Sequence, residues 1–216
     1  TATGVSATLV GGNLRLSADI GYQDHKLKNA QPSITIASGP IPSAPDASKN
    51  LGQPWTYSNE KDTFGTVRAE YDVSRDWTVW GAYGMRNGDE ANDLAGTTVN
   101  AAGNINYLRS VVIRQDRITT GEVGIRGQLK TGDVSHTLVF SAATYRGKTN
   151  APYAFADFAG VTTTGSLYAP VQIAPPAANF FLGETISDTK TSSFAVSDTL
   201  SLLQDTLKVT LGARNQ

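Results

Sequence analysis

Asp62-Thr-Phe-Gly-Thr-Val-Arg-Ala-Glu-Tyr-Asp-Val73, then Ser74-Arg-Asp76, then Trp77-Thr-Val-Trp-Gly-Ala-Tyr-Gly-Met-Arg86: this stretch decides the fold. Val67, Ala69, Tyr71 and Val73 fall on one face of the first segment, and Thr66, Arg68, Glu70 and Asp72 on the other. Strict period two is the signature of a strand, because successive side chains leave opposite faces of the pleat. Ser74-Arg-Asp76 is a polar turn between two such segments. The same unit recurs along the chain, always with a short turn at one end and a long loop at the other. That asymmetry predicts a transmembrane β-barrel, whose turns are short on one side of the membrane and long on the other.

Working outward, Leu14, Leu16, Ala18, Ile20 and Tyr22 form one face of another strand, opposite Arg15, Ser17, Asp19, Gly21 and Gln23. Gly11-Gly12-Asn13 supplies its turn, and an alternating stub from Val5 to Val10 precedes it. Residues 27–56 carry Pro32, Pro40, Pro42, Pro45 and Pro54, which cannot donate to a ladder, so a loop is expected there. A second polar loop is expected over 87–106, and a strand from Tyr107 to Gln128. Thr131-Gly132-Asp133 turns into a strand from Ser135 to Lys148; its register is ambiguous because Val139 and Phe140 lie on opposite faces. A third loop, 149–184, precedes a strand from Thr185 to Leu200, a turn at Leu203-Gln204-Asp205, and a last strand over Leu207 to Arg214. The expectation is an all-β, antiparallel up-and-down meander of about eight strands, with four short turns and three long loops.

Composition narrows the function. The chain has 216 residues, 18 basic and 19 acidic, so no nucleic acid or other acidic polymer and no anionic membrane surface is implied as a partner. With no cysteine, disulfides, thiolate metal sites and cysteine nucleophiles are excluded. No apolar run reaches the ~18 residues of a transmembrane helix, which leaves open a barrel whose strands need only ~9–11. No secretory signal opens the sequence. Alternation alone does not separate a lipid-facing barrel from a soluble β-sandwich, where the apolar face is a core. The loop asymmetry favours the barrel, with Tyr22, Tyr71, Trp77, Tyr83 and Tyr145 as candidates for the interfacial aromatic girdles.

Catalytic signals are sparse. His25 and His136 stand far apart with no second nitrogen at metal spacing, and His136, beside a turn, is expected to be solvated. A barrel hydrolase would need a nucleophile beside His25, and no partner set is evident. Gly121, Gly124 and Gly127 read as strand glycines that allow curvature or close approach. Arg68, Glu70 and Asp72, facing Arg86 or Arg126, read as a lattice of ion pairs. No enzyme is expected. Loop aromatics are the one functional signal: Trp55 and Tyr57 beside the first loop, and Tyr153, Phe155, Phe158, Tyr168, Phe180 and Phe181 in the third. Such rings give flat contact area at low entropic cost, or else pack loop against loop.

Four segments carry a family resemblance: Trp55-Thr-Tyr-Ser58 leading into Phe64-Gly-Thr-Val-Arg-Ala-Glu-Tyr71; Trp77-Thr-Val-Trp-Gly-Ala-Tyr-Gly84; Thr120-Gly-Glu-Val-Gly-Ile-Arg-Gly127; and Ser197-Asp-Thr-Leu-Ser201 with Leu207-Lys-Val-Thr-Leu-Gly-Ala-Arg214. Together they resemble the barrel of TonB-dependent siderophore receptors of the ferrichrome and pyoverdine type, over residues 14–216. The resemblance implies that residues 1–216 are an internal part of a 22-stranded barrel, with the plug domain and TonB box absent. It implies a bacterial outer-membrane location and a ferric siderophore as transported ligand, with no resident cofactor. It also implies the parent's plug, the TonB–ExbB–ExbD complex and outer-membrane lipid as partners. By the same resemblance, Trp55, Tyr57, Tyr153, Phe155, Phe158 and Tyr168 are candidates for an aromatic vestibule around the ligand. A self-contained eight-stranded barrel and a soluble sandwich or adhesin-like binding module are the alternatives.

Overall fold

A computed structural model of the chain describes residues 1–31, 33–37, 39–155, 165–176 and 186–216. The described residues form a single sheet. Its long strands are β1 (Ala2–Gly11), β2 (Leu14–Lys28), β4 (Tyr57–Asp72), β5 (Trp77–Val99), β6 (Asn104–Thr131), β7 (Val134–Asn150), β10 (Ile186–Leu202) and β11 (Leu207–Asn215). Short strands β3 (Ile34–Ile36), β8 (Tyr153–Phe155) and β9 (Gly165–Ser166) add to its upper edge. The long strands pair in chain order, each antiparallel to the next, so the meander read from the sequence is the observed topology. The four short turns sit at Gly12-Asn13, between Asp72 and Trp77, at Gly132-Asp133, and between Leu202 and Leu207. Gly12 (φ 54°) and Gly132 (φ 62°) supply the left-handed backbone of two of them. Leu203, Gln204 and Asp205 adopt the same region without that freedom.

Register puts side chains on faces. One rung reads Leu16, Ala69, Gly81, Val123, Ala142, Phe194, and another Leu14, Tyr71, Val79, Ile125, Phe140, Val196. This face carries large exposed apolar side chains, among them Val123 at 61% and Leu211 at 62% of full exposure. The rungs that alternate with them read Arg15, Glu70, Trp80, Gly124, Ser141, Ala195, Arg214 and Ser17, Arg68, Ala82, Glu122, Ala143, Ser193. Polar and charged groups thus line the second face, where a trough of about 620 Å³ runs from Ser17 and Asp19 to Arg214 and Gln216. The residual ambiguity in β7 resolves with Phe140 on the apolar face and Val139 on the polar one. Tyr22, Tyr71, Trp77 and Tyr83 take the apolar face, but Tyr145 shares the polar face with Thr120 and Thr191 and lines the trough. Tyr145 is therefore no part of a lipid-facing girdle.

The alternatives do not survive the topology. A sandwich needs two packed sheets, and there is one. A closed eight-stranded barrel needs its first and last strands paired, and among the described residues β1 pairs only with β2 and β11 only with β10.

Three loop expectations need correction. The polar stretch 87–106 is mostly strand: β5 runs to Val99 and β6 starts at Asn104, their register unbroken from Trp77↔Gly127 to Val99↔Ile105. Asn, Asp and Gly there suggested a loop, but paired backbone needs no apolar side chains of its own, and Asp93, Ala95, Thr97 and Val99 are buried. At the tip, the Asn100 carboxamide oxygen accepts from Ala102 N (3.0 Å) and Asn104 N (2.9 Å), and Gly103 takes φ 81°. Residues 27–56, expected to be loop throughout, contain β3, which runs parallel to β5. Residues 149–184 contain β8 and β9, both paired with β6. Strand β6, at 28 residues, greatly exceeds the ~9–11 that cross a bilayer, so the β5–β6 hairpin projects beyond the sheet's apolar band.

Candidate functional site: the polar wall and the projecting hairpin

The lower part of the polar face is a network of charge pairs. Arg15 donates a fork to Asp72 (2.5 and 2.7 Å) and its Nε to Glu70 (3.3 Å), while Arg68 Nε donates to the other Glu70 oxygen (2.9 Å). Thr78 Oγ1 donates to Asp72 at 2.8 Å. The Arg68 guanidinium lies 5.6 Å from the Trp80 ring centre, and Trp80 Nε1 donates to Glu122 at 2.6 Å. Forked, charge-assisted bonds fix side chains in place more firmly than single ones. Glycines opposite the tryptophans make room for their rings: a Cβ on Gly124 would lie 2.2 Å from Trp80, and one on Gly127 2.4 Å from Trp77. Close approach, one of the roles read for these glycines, is what the register requires.

Higher on the same face, Arg86 pairs with Asp62 (2.7 Å) and Arg114 with Asp116 (2.9 Å), and Thr149 donates to Asp116 (2.6 Å). His25 lies opposite Glu60 in the ladder. Among the described residues no three His, Cys, Asp or Glu groups are gathered as a metal site. His136 corrects its expectation. It faces the apolar side near its turn, is largely covered, and shares a 2.8 Å hydrogen bond with Asp198.

The projecting hairpin carries a small core of its own. Leu51, Ala95, Val99, Ile105, Tyr107 and Leu167 are buried together, with Trp55 and Ile173 packed against them. Loop segments 118–120 residues apart are tied by one side chain: Gln53 donates to Val171 O (3.0 Å) and accepts from Ile173 N (2.8 Å). Trp55 Nε1 donates to Ile173 O (3.1 Å), and Arg109, 5.4 Å from the Trp55 ring centre, forks onto Asp93 (2.9 and 2.6 Å). That fork holds the Arg109 proton more tightly than usual.

The predicted aromatics therefore divide. Trp55 is half-buried against the hairpin core, and Tyr57 is half-buried opposite Asp93 on the row that continues the sheet's apolar face. Tyr168 covers Gly103 at the tip and donates to Ser43 O (3.2 Å). Tyr153 is exposed, opposite Val112 on the row that continues the polar face. Phe155 ends β8, but its side chain, like Phe158, Phe180 and Phe181, lies outside the described residues. Asp93, Arg109 and Gln53 were missed; each is polar, and only the fold shows that they are buried or paired across loops.

No family model matches the sequence. Over 225 aligned residues and its whole length, however, the chain is 31% identical to the ferrichrome receptor FcuA of Yersinia enterocolitica. It is a barrel segment of the TonB-dependent outer-membrane receptors. The chain spans 29% of the length of that relative. Among solved structures, the ferric preacinetobactin receptor BauA of Acinetobacter baumannii superposes with a TM-score of 0.87 at 24% identity, covering 99% of this chain and 32% of that one. FpvA of P. aeruginosa, bound to heterologous pyoverdines, superposes at 0.74 with 13% identity, over 99% and 29%. These likenesses fix orientation. In outer-membrane barrels the short turns are periplasmic and the long loops extracellular, and the apolar face meets lipid. The TonB-dependent barrel segment thus places its small core outside the cell and its ion-pair network in the lumen.

Proposed function

We propose that the receptor carrying this segment imports a ferric siderophore across the outer membrane, driven through TonB–ExbB–ExbD. The observation that carries this reading is the 31% identity to a ferrichrome receptor along the full chain. The siderophore is cargo that brings its iron already coordinated, so no protein–iron bond is required. The lumenal network of Arg15, Arg68, Glu70, Asp72 and Trp80 is the wall against which the parent's plug packs. A plug docked there meets preset, charge-assisted partners instead of a mobile surface.

Ligand recognition belongs to the extracellular hairpin and its loops. Trp55 and Tyr168 brace the loops, Tyr57 lies half-buried opposite Asp93, and Tyr153, exposed on the polar row, offers its ring to the vestibule. Phe155 and Phe158 follow Tyr153 closely in the sequence and are proposed with it. Uptake of a panel of radiolabelled ferric siderophores, in a strain whose only such receptor is the full-length parent, tests the reading. Energy-dependent uptake of at least one chelate is expected; uptake of none, with the receptor folded in the membrane, overturns it.

A further inference from the structure

The lumen-facing row changes character across the sheet. On β2 and β4 it carries Arg15, Asp19, Asp62, Arg68, Glu70 and Asp72, each held by a hydrogen bond or ion pair. On β7 and β10 it carries no charge at any height. From the Thr149↔Ser187 pair at the outer end to Ser135↔Ser201 at the periplasmic end, every inward residue of these two strands is uncharged, and most bear a hydroxyl. The strands are not short of charge: Arg146, Lys148, Asp188, Lys190 and Asp198 all sit on the opposite row. Charge resumes on the inward row only at the flanks, with Glu122 and Arg126 on β6 and Lys208 and Arg214 on β11.

At mid-height this neutral lane forms one side of the trough of about 620 Å³, through Ala143, Tyr145, Thr191 and Ser193. Ser193 is 5% exposed, and its oxygen accepts from Arg214 (2.8 Å), yet its own proton meets no acceptor among the described residues. A buried donor at the wall of a cavity stays unpaired until a polar group enters. Tyr145 lies along the lane toward the outside, with its hydroxyl over Gly147, where an added Cβ would sit 2.5 Å from it.

We propose that the ferric siderophore crosses the membrane along this lane, between the β7–β10 wall and the parent's plug; the proposal rests on the import reading above. Charge-assisted bonds hold the plug to the β2–β5 wall, and breaking them is costly. On the β7–β10 wall no such bond forms, so the seam opens there. Passage needs contacts favourable enough to enter, and weak and repeated enough to leave. Hydroxyls meet both conditions, because each donates and accepts and so pairs with whatever oxygen or nitrogen the chelate presents. A fixed charge would hold one chelate and repel another.

The test uses the full-length receptor in cells, with radiolabelled ferrichrome, ferrioxamine B and ferric pyoverdine as probes. Ala143→Arg puts a charge in the lane and Thr191→Trp fills it; Gln23→Trp adds the same bulk on the inward row of β2. For a chelate that the unaltered receptor imports, the two lane variants are expected to bind it at the cell surface as before and to import it about tenfold more slowly or worse. Gln23→Trp should import within about twofold of the unaltered receptor. A photoreactive aryl-azide derivative of the same chelate, flashed during uptake by the unaltered receptor, should label β7 and β10 peptides, and only in cells that contain TonB. Lane variants that bind and still import within about twofold overturn the proposal, as does an equal loss in Gln23→Trp. So does label confined to β2 and β4, or unchanged without TonB. Uptake of no probe by the unaltered receptor fails the import reading itself, and the lane with it.

Discussion

The membrane wall and the extracellular hairpin are built on the same two strands and obey opposite rules. Between Trp77 and Met85 the outward row of β5 is apolar and open, half-buried at Trp77, Val79 and Gly81 and exposed at Tyr83 and Met85, because its solvent is lipid. Fewer than ten residues further on, the same row becomes Asp93, Ala95, Thr97 and Val99, buried under loops because its solvent is water. The register never slips between them. The difference teaches that period two fixes only which residues share a face; the surrounding medium decides which face is covered.

Breaking the hairpin core should have the largest effect and should leave the wall intact. Ile105 and Tyr107 are fully covered, so Tyr107→Ala is expected to cost the extracellular hairpin ~3–5 kcal/mol. Limited proteolysis should cut the loops while the membrane strands stay protected. Next is the wall. Val123→Arg places a charge in the lipid-facing band and should cost ~2–4 kcal/mol, read as a shift in the urea midpoint for folding into vesicles. The same change at Asn106, exposed on the hairpin, should be nearly silent.

A middle-sized effect belongs to Asp93. Asp93→Ala removes both acceptors of the Arg109 fork and should destabilise the hairpin by ~1.5–3 kcal/mol. Hydrogen exchange at β5–β6 above residue 93 is the measurement. Smallest is Arg86→Gln, whose partner Asp62 is met at the edge of water; a change of at most ~1 kcal/mol in unfolding free energy is expected.

The wall was legible in the sequence because lipid and lumen impose contrasting chemistry on alternate residues, as at Val67 to Asp72. The hairpin was not. Ala91, Asp93, Ala95 and Thr97 alternate with Asn92, Leu94, Gly96 and Thr98, so polarity carries no period there. Their burial is set by Leu51, Leu167 and Trp55, brought over them from distant loops. Gln53, bridging to residues 171 and 173, is likewise invisible to any local pattern. His136 read as solvated because its partner, Asp198, is 62 residues away. Tyr145 read as a girdle residue because a register shift of one exchanges the faces, and the β7 register is fixed by its pairing with β6 and β10.

The central claim is that the apolar row of these strands faces lipid and the charged row a wet lumen. Single nitroxide labels at positions 67 to 72 and 121 to 126 of the full receptor, reconstituted in vesicles, test it directly. Collisions with dissolved oxygen should be high at 67, 69, 71, 121, 123 and 125. Collisions with a water-soluble nickel chelate should be high at 68, 70, 72, 122, 124 and 126. A flat profile, or the reverse alternation, would contradict the assignment of faces.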